Sequence, residues 1–277
     1  EGRKANRSDD GDIDLLLRRS TDGGHTWSPI QVVHEEGGDA AIKLGNPCPV
    51  IDGETGAILL LMNRSTGLTR SDRSGGDILI TESTDDGATW SKPRDITAEV
   101  KRPGWGAYAL GPGIGIQLTM GQHKGRLVIP ANYRESFNQR DPSYSHVFYS
   151  DDHGKHWKLG GMVGPHTNEC QVAEIIRDGR AGLVIDMRNH WGRDGHPEKA
   201  GVRLQATSFD GGATWSEAQP QQTLIEPACQ ASLLRYRLPQ GKDGSSVLLF
   251  ANPAATGRKN LTVRASYDEG LTWPAAV

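Results

Sequence analysis

The sequence predicts an all-β chain built as a radial array of small antiparallel sheets, and three observations predict it. An octapeptide of the form Ser-x-Asp-x-Gly-x-Thr-Trp occurs five times, starting at Ser20, Ser83, Ser150, Ser208 and Ser266, with starts 63, 67, 58 and 58 residues apart. Self-similarity at a near-constant period means one supersecondary unit stacked on copies of itself. Short apolar runs arrive about every ten to fifteen residues, roughly four per repeat, which is the strand count of a propeller blade. Finally, 35 glycines and 15 prolines in 277 residues suit many turns and no long helix.

The elements follow in order. "DIDLLLRR" leads into the first octapeptide, and "GAILLLMN" and "GDILITE" lead to the second. "GRLVIPAN" and "SHVFY" precede the third, "GLVIDMRN" and "VRLQAT" the fourth, "SSVLLFAN" and "NLTVRA" the fifth. Each alternates or forms a compact apolar run bounded by Gly, Asp or Asn, as strands do. Within the octapeptide the aspartate is expected to accept hydrogen bonds from backbone amides two residues on, closing a tight turn. The glycine supplies a conformation other residues resist, and the tryptophan covers the adjoining blade core. Only the third copy departs, with His156 in place of threonine. The octapeptides are thus read as hairpin staples, so any chemistry must come from the segments between them.

Composition narrows the function classes. A net charge of -3 gives no case for nucleic acid or an acidic tail, and no apolar run reaches membrane-spanning length. Cys48, Cys170 and Cys229 are too few and odd in number for a disulfide framework, with no CxxC pair to suggest zinc. The histidines show no HxxxH-type pairing. The acidic stretch "SDDGDIDL" lacks the twelve-residue calcium loop with its terminal glutamate. No metal or cofactor is expected, and residues 1–277 read as one domain.

The octapeptide resembles the Asp-box of the sialidase (neuraminidase) family. That resemblance implies a six-bladed β-propeller of four-stranded antiparallel blades, here with the closing blade incomplete. It also implies an exo-α-sialidase that removes terminal sialic acid from glycans with retention. A sialic acid carries a carboxylate on its anomeric carbon, and arginine, whose planar fork stays ionised, is the side chain suited to hold it. Arg188 in "LVIDMRNHW" and Arg258 in "NPAATGRKNLTVRAS" are similar to the second and third of the family's three such arginines. Arg3 in "EGRK" matches the arginine near the sugar's 4-hydroxyl. Asp9, six residues later, matches the general acid/base, with Asp10, Asp12 and Asp14 as local alternatives. Glu169 in "HTNECQVAEIIRDGR", 19 residues before Arg188, matches the glutamate that activates a tyrosine nucleophile. A neutral phenol can approach an anionic substrate that would repel a carboxylate, and sialidases are known for this exception among glycosidases. Asn46 in "LGNPCPVID" matches a position facing the sugar's polar groups.

Two family features are not found. No Phe/Tyr-Arg-Ile-Pro motif occurs, "RLVIPAN" in the third repeat being the nearest sequence, and no Tyr-Ser segment follows the last box. The resemblance places the first arginine upstream of Glu1 and the tyrosine beyond Val277. Trp105 and Tyr108 of "GWGAYALGPGIGIQL" either border the N-acetyl pocket or fill the core, and Cys229 and Gln230 of "PACQASLL" lie in another segment similar to the family. Sialylated glycans are the implied partners, in a secreted, periplasmic or lysosomal setting. Asp-boxes also occur in non-enzymatic propellers, so a propeller that only binds glycans or proteins stands as the second reading, and a glycosidase for a related nonulosonic acid as the third.

Overall fold

The computed structural model describes residues 1–3, 11–38, 40–66, 76–136, 138, 141–237 and 246–276. The strands fall into five groups along the chain. Group I holds β1 (Gly2–Arg3), β2 (Ile13–Leu17) and β3 (Gln31–His34). Group II holds β4 (Ile42–Ile51), β5 (Ile58–Thr66), β6 (Asp77–Ser83) and β7 (Arg94–Asp95). Group III holds β8 (Tyr108–Leu110), β9 (Ile116–Gln117), β10 (Leu127–Arg134), β11 (Ser143–Ser150) and β12 (Lys158–Val163). Group IV holds β13 (Thr167–Arg177), β14 (Arg180–Asn189), β15 (Val202–Ser208) and β16 (Gln219–Ile225). Group V holds β17 (Ser232–Arg237), β18 (Ser246–Pro253), β19 (Leu261–Ser266) and β20 (Ala275–Ala276). Groups II, IV and V are four-stranded antiparallel meanders; group III adds the short β9. One parallel bridge, Ile13 to Lys43, joins groups I and II. The only helical pieces among the described residues are α1 (Thr97–Val100) and a 3-10 turn at Pro197–Lys199. This is the expected all-β propeller arrangement. The described residues contain five groups, the first with three strands.

The core is not central but lies between successive sheets. Leu15, Leu44, Leu60 and Met62 fill the space between groups I and II, and Leu61, Ile78, Ile129 and Phe148 that between II and III. Val147, Val172, Ile185 and Leu204 fill the next gap, and Ile175, Leu233, Leu248 and Phe250 the last. Burying each such side chain contributes about 1.5–3 kcal/mol. Every sheet is therefore stabilised by its neighbours rather than by itself.

Each octapeptide links the last two strands of its group, and its geometry corrects one expectation. The aspartate's bonds run four residues on: Asp210 accepts the Thr214 N–H at 2.9 Å and its hydroxyl at 2.5 Å. The serine binds closer in, its Oγ donating to Asp210 at 2.7 Å and accepting the Gly212 N–H at 2.9 Å. The fourth and fifth positions both take positive φ, as at Gly211 (69°) and Gly212 (90°) or His153 (61°) and Gly154 (78°). That pair of left-handed residues makes the turn tight, and the second is always glycine. In the third box His156 Nδ1 replaces the threonine hydroxyl, 2.7 Å from Asp152.

Four of the boxes are also fastened to the preceding sheet. Their turn carbonyls accept side-chain donors from it: Gln31 to Ala88, Arg94 to Gly154, Arg126 to Gly211 and Arg177 to Glu269, at 2.8–3.0 Å. Trp157 and Trp273 are buried in the gap between sheets, while Trp90 and Trp215 pack against theirs. Trp27 of the first box is the exception at 58% exposed, its indole turned onto its own Gly24 carbonyl. No described sheet precedes group I for it to cover.

Candidate functional site

Two of the sequence-selected residues meet through a strand irregularity. In the β13–β14 hairpin the register holds from Cys170 opposite Met187 onward and slips between Cys170 and Thr167. Asn168 and Glu169 thereby oppose Arg188 alone, a β-bulge, which re-aims a side chain out of the pleat. The Arg188 Nη1 donates to Glu169 Oε2 at 2.7 Å. Both side chains are partly exposed (18% and 24%), whereas the Arg188 Nε is buried with no hydrogen-bond partner among the described residues. A charge-assisted bond of this length fixes the guanidinium plane.

Asn46 occupies the same kind of irregularity in group II. The β4–β5 register slips between Gly45 and Cys48, and Asn46 takes a φ of 50°. Its backbone N–H donates to Glu1 Oε1 at 2.9 Å, and its side-chain amide donates to the Leu110 carbonyl at 3.1 Å. Glu1 in turn pairs with Arg3 at 3.1 Å. Arg3 and Asn46 are thus joined through one carboxylate.

Arg258 lies exposed on the loop between β18 and β19, whose neck is closed by the Ala254 N–H to the Asn260 carbonyl at 2.9 Å. Burial pushes the Cys229 thiol up, assisted by Glu226 and opposed by Arg258, Arg203 and Arg188. The charges of Arg188 on β14 and of Arg258 beyond β18 both reach the Cys229 thiol, in the connection from β16 to β17. Asp9 falls within residues 4–10, outside the described residues.

One buried cluster was missed by the sequence reading. Arg203 is wholly buried and lies 2.6 Å from Asp186 and 2.7 Å from Glu226. Burial raises the pKa of both carboxyls against the pull of Arg203. It also opposes the charge on Arg203, but the two carboxylates outweigh it and hold the guanidinium firmly protonated. The aspartate inside the apolar run "LVIDM" was the available signal, since a buried acid needs a buried partner. The rim adds His166, which bonds Asp194 at 2.8 Å and lies against Trp191, with Lys199 over the indole. His190 is buried with its Nδ1 2.9 Å from Ser143 Oγ, and burial, reinforced by Arg188, Arg193 and Arg134, lowers its pKa to about 3.

Other selected residues are structural. Trp105 and Tyr108 belong to the core between groups II and III, Trp105 stacked on Tyr133 at 3.7 Å. Cys48 and Cys170 are buried at the inner strands, with burial raising both thiols, Cys170 to about 12. One cavity of about 630 Å³, lined by Ile51, Ile114, Val172, Glu174 and Leu234, opens toward the other end of β13 and includes neither Glu169 nor Arg188. Among the described residues no group of three or more His, Cys, Asp or Glu could hold a metal ion. No described helix is long and apolar enough to cross a membrane.

Comparison with known proteins bears on this geometry. The profile of the BNR repeat-like domain matches residues 3–277. A sialidase of Bacteroides fragilis (strain YCH46) is 34% identical over 279 residues, which is 94% of this chain and 48% of that protein. A sialidase of Micromonospora viridifaciens is 34% identical over 290 residues, 100% of this chain and 43% of its own length. Among solved structures, a Hadza microbial sialidase superposes with a TM-score of 0.80 at 31% identity, over 95% of this chain and 52% of that one. The chain spans about half the length of these relatives.

Proposed function

Since the chain belongs to the BNR repeat-like family, and the relatives it matches are sialidases, we propose that it is the propeller of an exo-α-sialidase acting on terminal sialic acid with retention. The observation that carries this reading is the Glu169–Arg188 pair at 2.7 Å, set in a bulge. Arg188 and Arg258 hold the substrate carboxylate, and Arg3 and Asn46 face the hydroxyl side of the ring. Glu169 takes the proton of a tyrosine as its oxygen attacks the anomeric carbon, while Asp9 protonates the departing glycosidic oxygen. In the second half Asp9 draws a proton from water, water attacks the same carbon, and the tyrosine leaves and recovers its proton from Glu169. The reading calls for a tyrosine and a third arginine besides the residues assigned here. Fixed positive charge near the anomeric carboxylate orients the sugar, and preorganised dipoles stabilise the oxocarbenium-like state.

The test is hydrolysis of a fluorogenic α-sialoside by the full-length chain, followed by proton NMR of the released sugar. The reading expects turnover, with the α-anomer appearing first and neutral glycosides left intact. Binding of sialosides without turnover would overturn it in favour of a glycan-binding propeller.

A further inference from the structure

The buried Asp186–Arg203–Glu226 triplet ties together the two elements that carry the candidate arginines. Glu226 uses one oxygen for Arg203 and the other to accept the backbone N–H of Asn189, next to Arg188, at 2.7 Å. Arg203 Nη1 also donates to the Cys229 carbonyl at 2.8 Å, in the connection from β16 to β17. Asn252 on β18, the strand that leads into the Arg258 loop, donates to the Ile225 carbonyl beside Glu226 at 2.8 Å. Gln205 completes the cluster by donating to the second oxygen of Asp186 at 3.0 Å. One guanidinium thus holds the end of β14, the crossover between sheets and, through that crossover, the edge of group V.

Burying two carboxylates around one cation is an expensive way to gain stability, and apolar residues of similar size would serve as well or better. What the triplet provides instead is a fixed separation, because the rigid fork reaches both acids in one plane. We propose that Arg203 is a positioning residue: it sets the spacing of Arg188 and Arg258, and so the preference of the site for a carboxylate over a neutral group. This rests on the sialidase reading above.

The test compares binding of the 2,3-dehydro derivative of N-acetylneuraminic acid with that of its methyl ester, by calorimetry on the full-length protein. KM and kcat are measured alongside on a fluorogenic sialoside. Arg203→Lys keeps the charge but cannot span both acids. It should narrow the preference for the acid over the ester at least tenfold, with KM rising more than kcat falls. A purely structural role would lower the melting temperature and the active fraction while leaving preference and KM unchanged, and that result overturns the proposal. If Arg203→Lys does not fold, Glu226→Gln retains the acceptor for Asn189 while breaking the bond to Arg203, and it should narrow the preference at least threefold. A wild-type protein with no preference for the acid sinks the sialidase reading and this proposal together. A wild-type preference that the folded variants keep sinks this proposal alone.

Discussion

Replacing Asp210 by alanine removes the acceptor at the centre of the fourth box. Three bonds are lost: from the Thr214 N–H, the Thr214 hydroxyl and the Ser208 hydroxyl, at 2.9, 2.5 and 2.7 Å. Burial works to raise the pKa of Asp210, but these bonds outweigh it and hold it below the ordinary value, so they favour the ionised form. Charge-assisted bonds contribute about 1.5–3 kcal/mol each in isolation, yet these share one partly solvated carboxylate and are not additive. A total near 3 kcal/mol corresponds to a fall of roughly 5 °C in melting temperature for a chain of this size. The loss should be large here because the same turn is clamped to group III through Arg126 and the Gly211 carbonyl. Asp22→Ala is the control. It removes the same bonds from a box whose tryptophan is exposed, and it should shift the transition by less than half as much. Scanning calorimetry on the full-length protein reads both. A shift below 1 °C for Asp210→Ala, or equal shifts for the two variants, would refute the claim that the boxes act by riveting one sheet to the next.

Other outcomes follow from the same geometry. His190 has a folded pKa of about 3 against an ordinary 6.5, so below pH 6.5 the unfolded chain takes up the proton first. Its contribution is complete above 6.5 and drains away toward pH 3, by about 2 kcal/mol at pH 5. His190→Gln should therefore flatten denaturant-measured stability between pH 6.5 and 5, and an unchanged slope counts against it. Asp9→Ala and Glu169→Ala should each cut sialoside hydrolysis at least a hundredfold with little change in melting temperature; persistent activity in both would show that these roles are misassigned. Cys48 and Cys170, buried with raised pKa values, should resist alkylation in the folded protein at pH 8, so rapid modification by iodoacetamide would contradict their packing.

The architecture was legible because it repeats. Five copies of one turn motif, each behind an apolar run, determine where hairpins fall, and the strands before Ser20, Ser83, Ser150, Ser208 and Ser266 appear where the pattern places them. The internal bonding of the box was not legible. Whether an aspartate reaches two or four residues ahead depends on two consecutive left-handed residues, and His153 or Glu269 does not announce that conformation. Similarly, "NEC" suggests a functional glutamate by resemblance, but the bulge that turns Glu169 toward Arg188 arises from pairing across a hairpin. Pairing register is a property of two strands together. The triplet around Arg203 was invisible for a related reason: its members are 17 and 23 residues apart and only burial makes them partners.

The central claim is that Arg188 and Arg258 close on a single carboxylate, and a binding cycle tests it directly. Affinity for N-acetylneuraminic acid would be measured by calorimetry for the full-length protein, Arg188→Ala, Arg258→Ala and the double variant. Each single change should weaken binding about 10- to 150-fold, the value of one charge-assisted contact, and the double variant should lose less than the product of the two. Unaltered affinity in either single variant, or strictly multiplicative losses, would mean that the two guanidinium groups do not share a ligand.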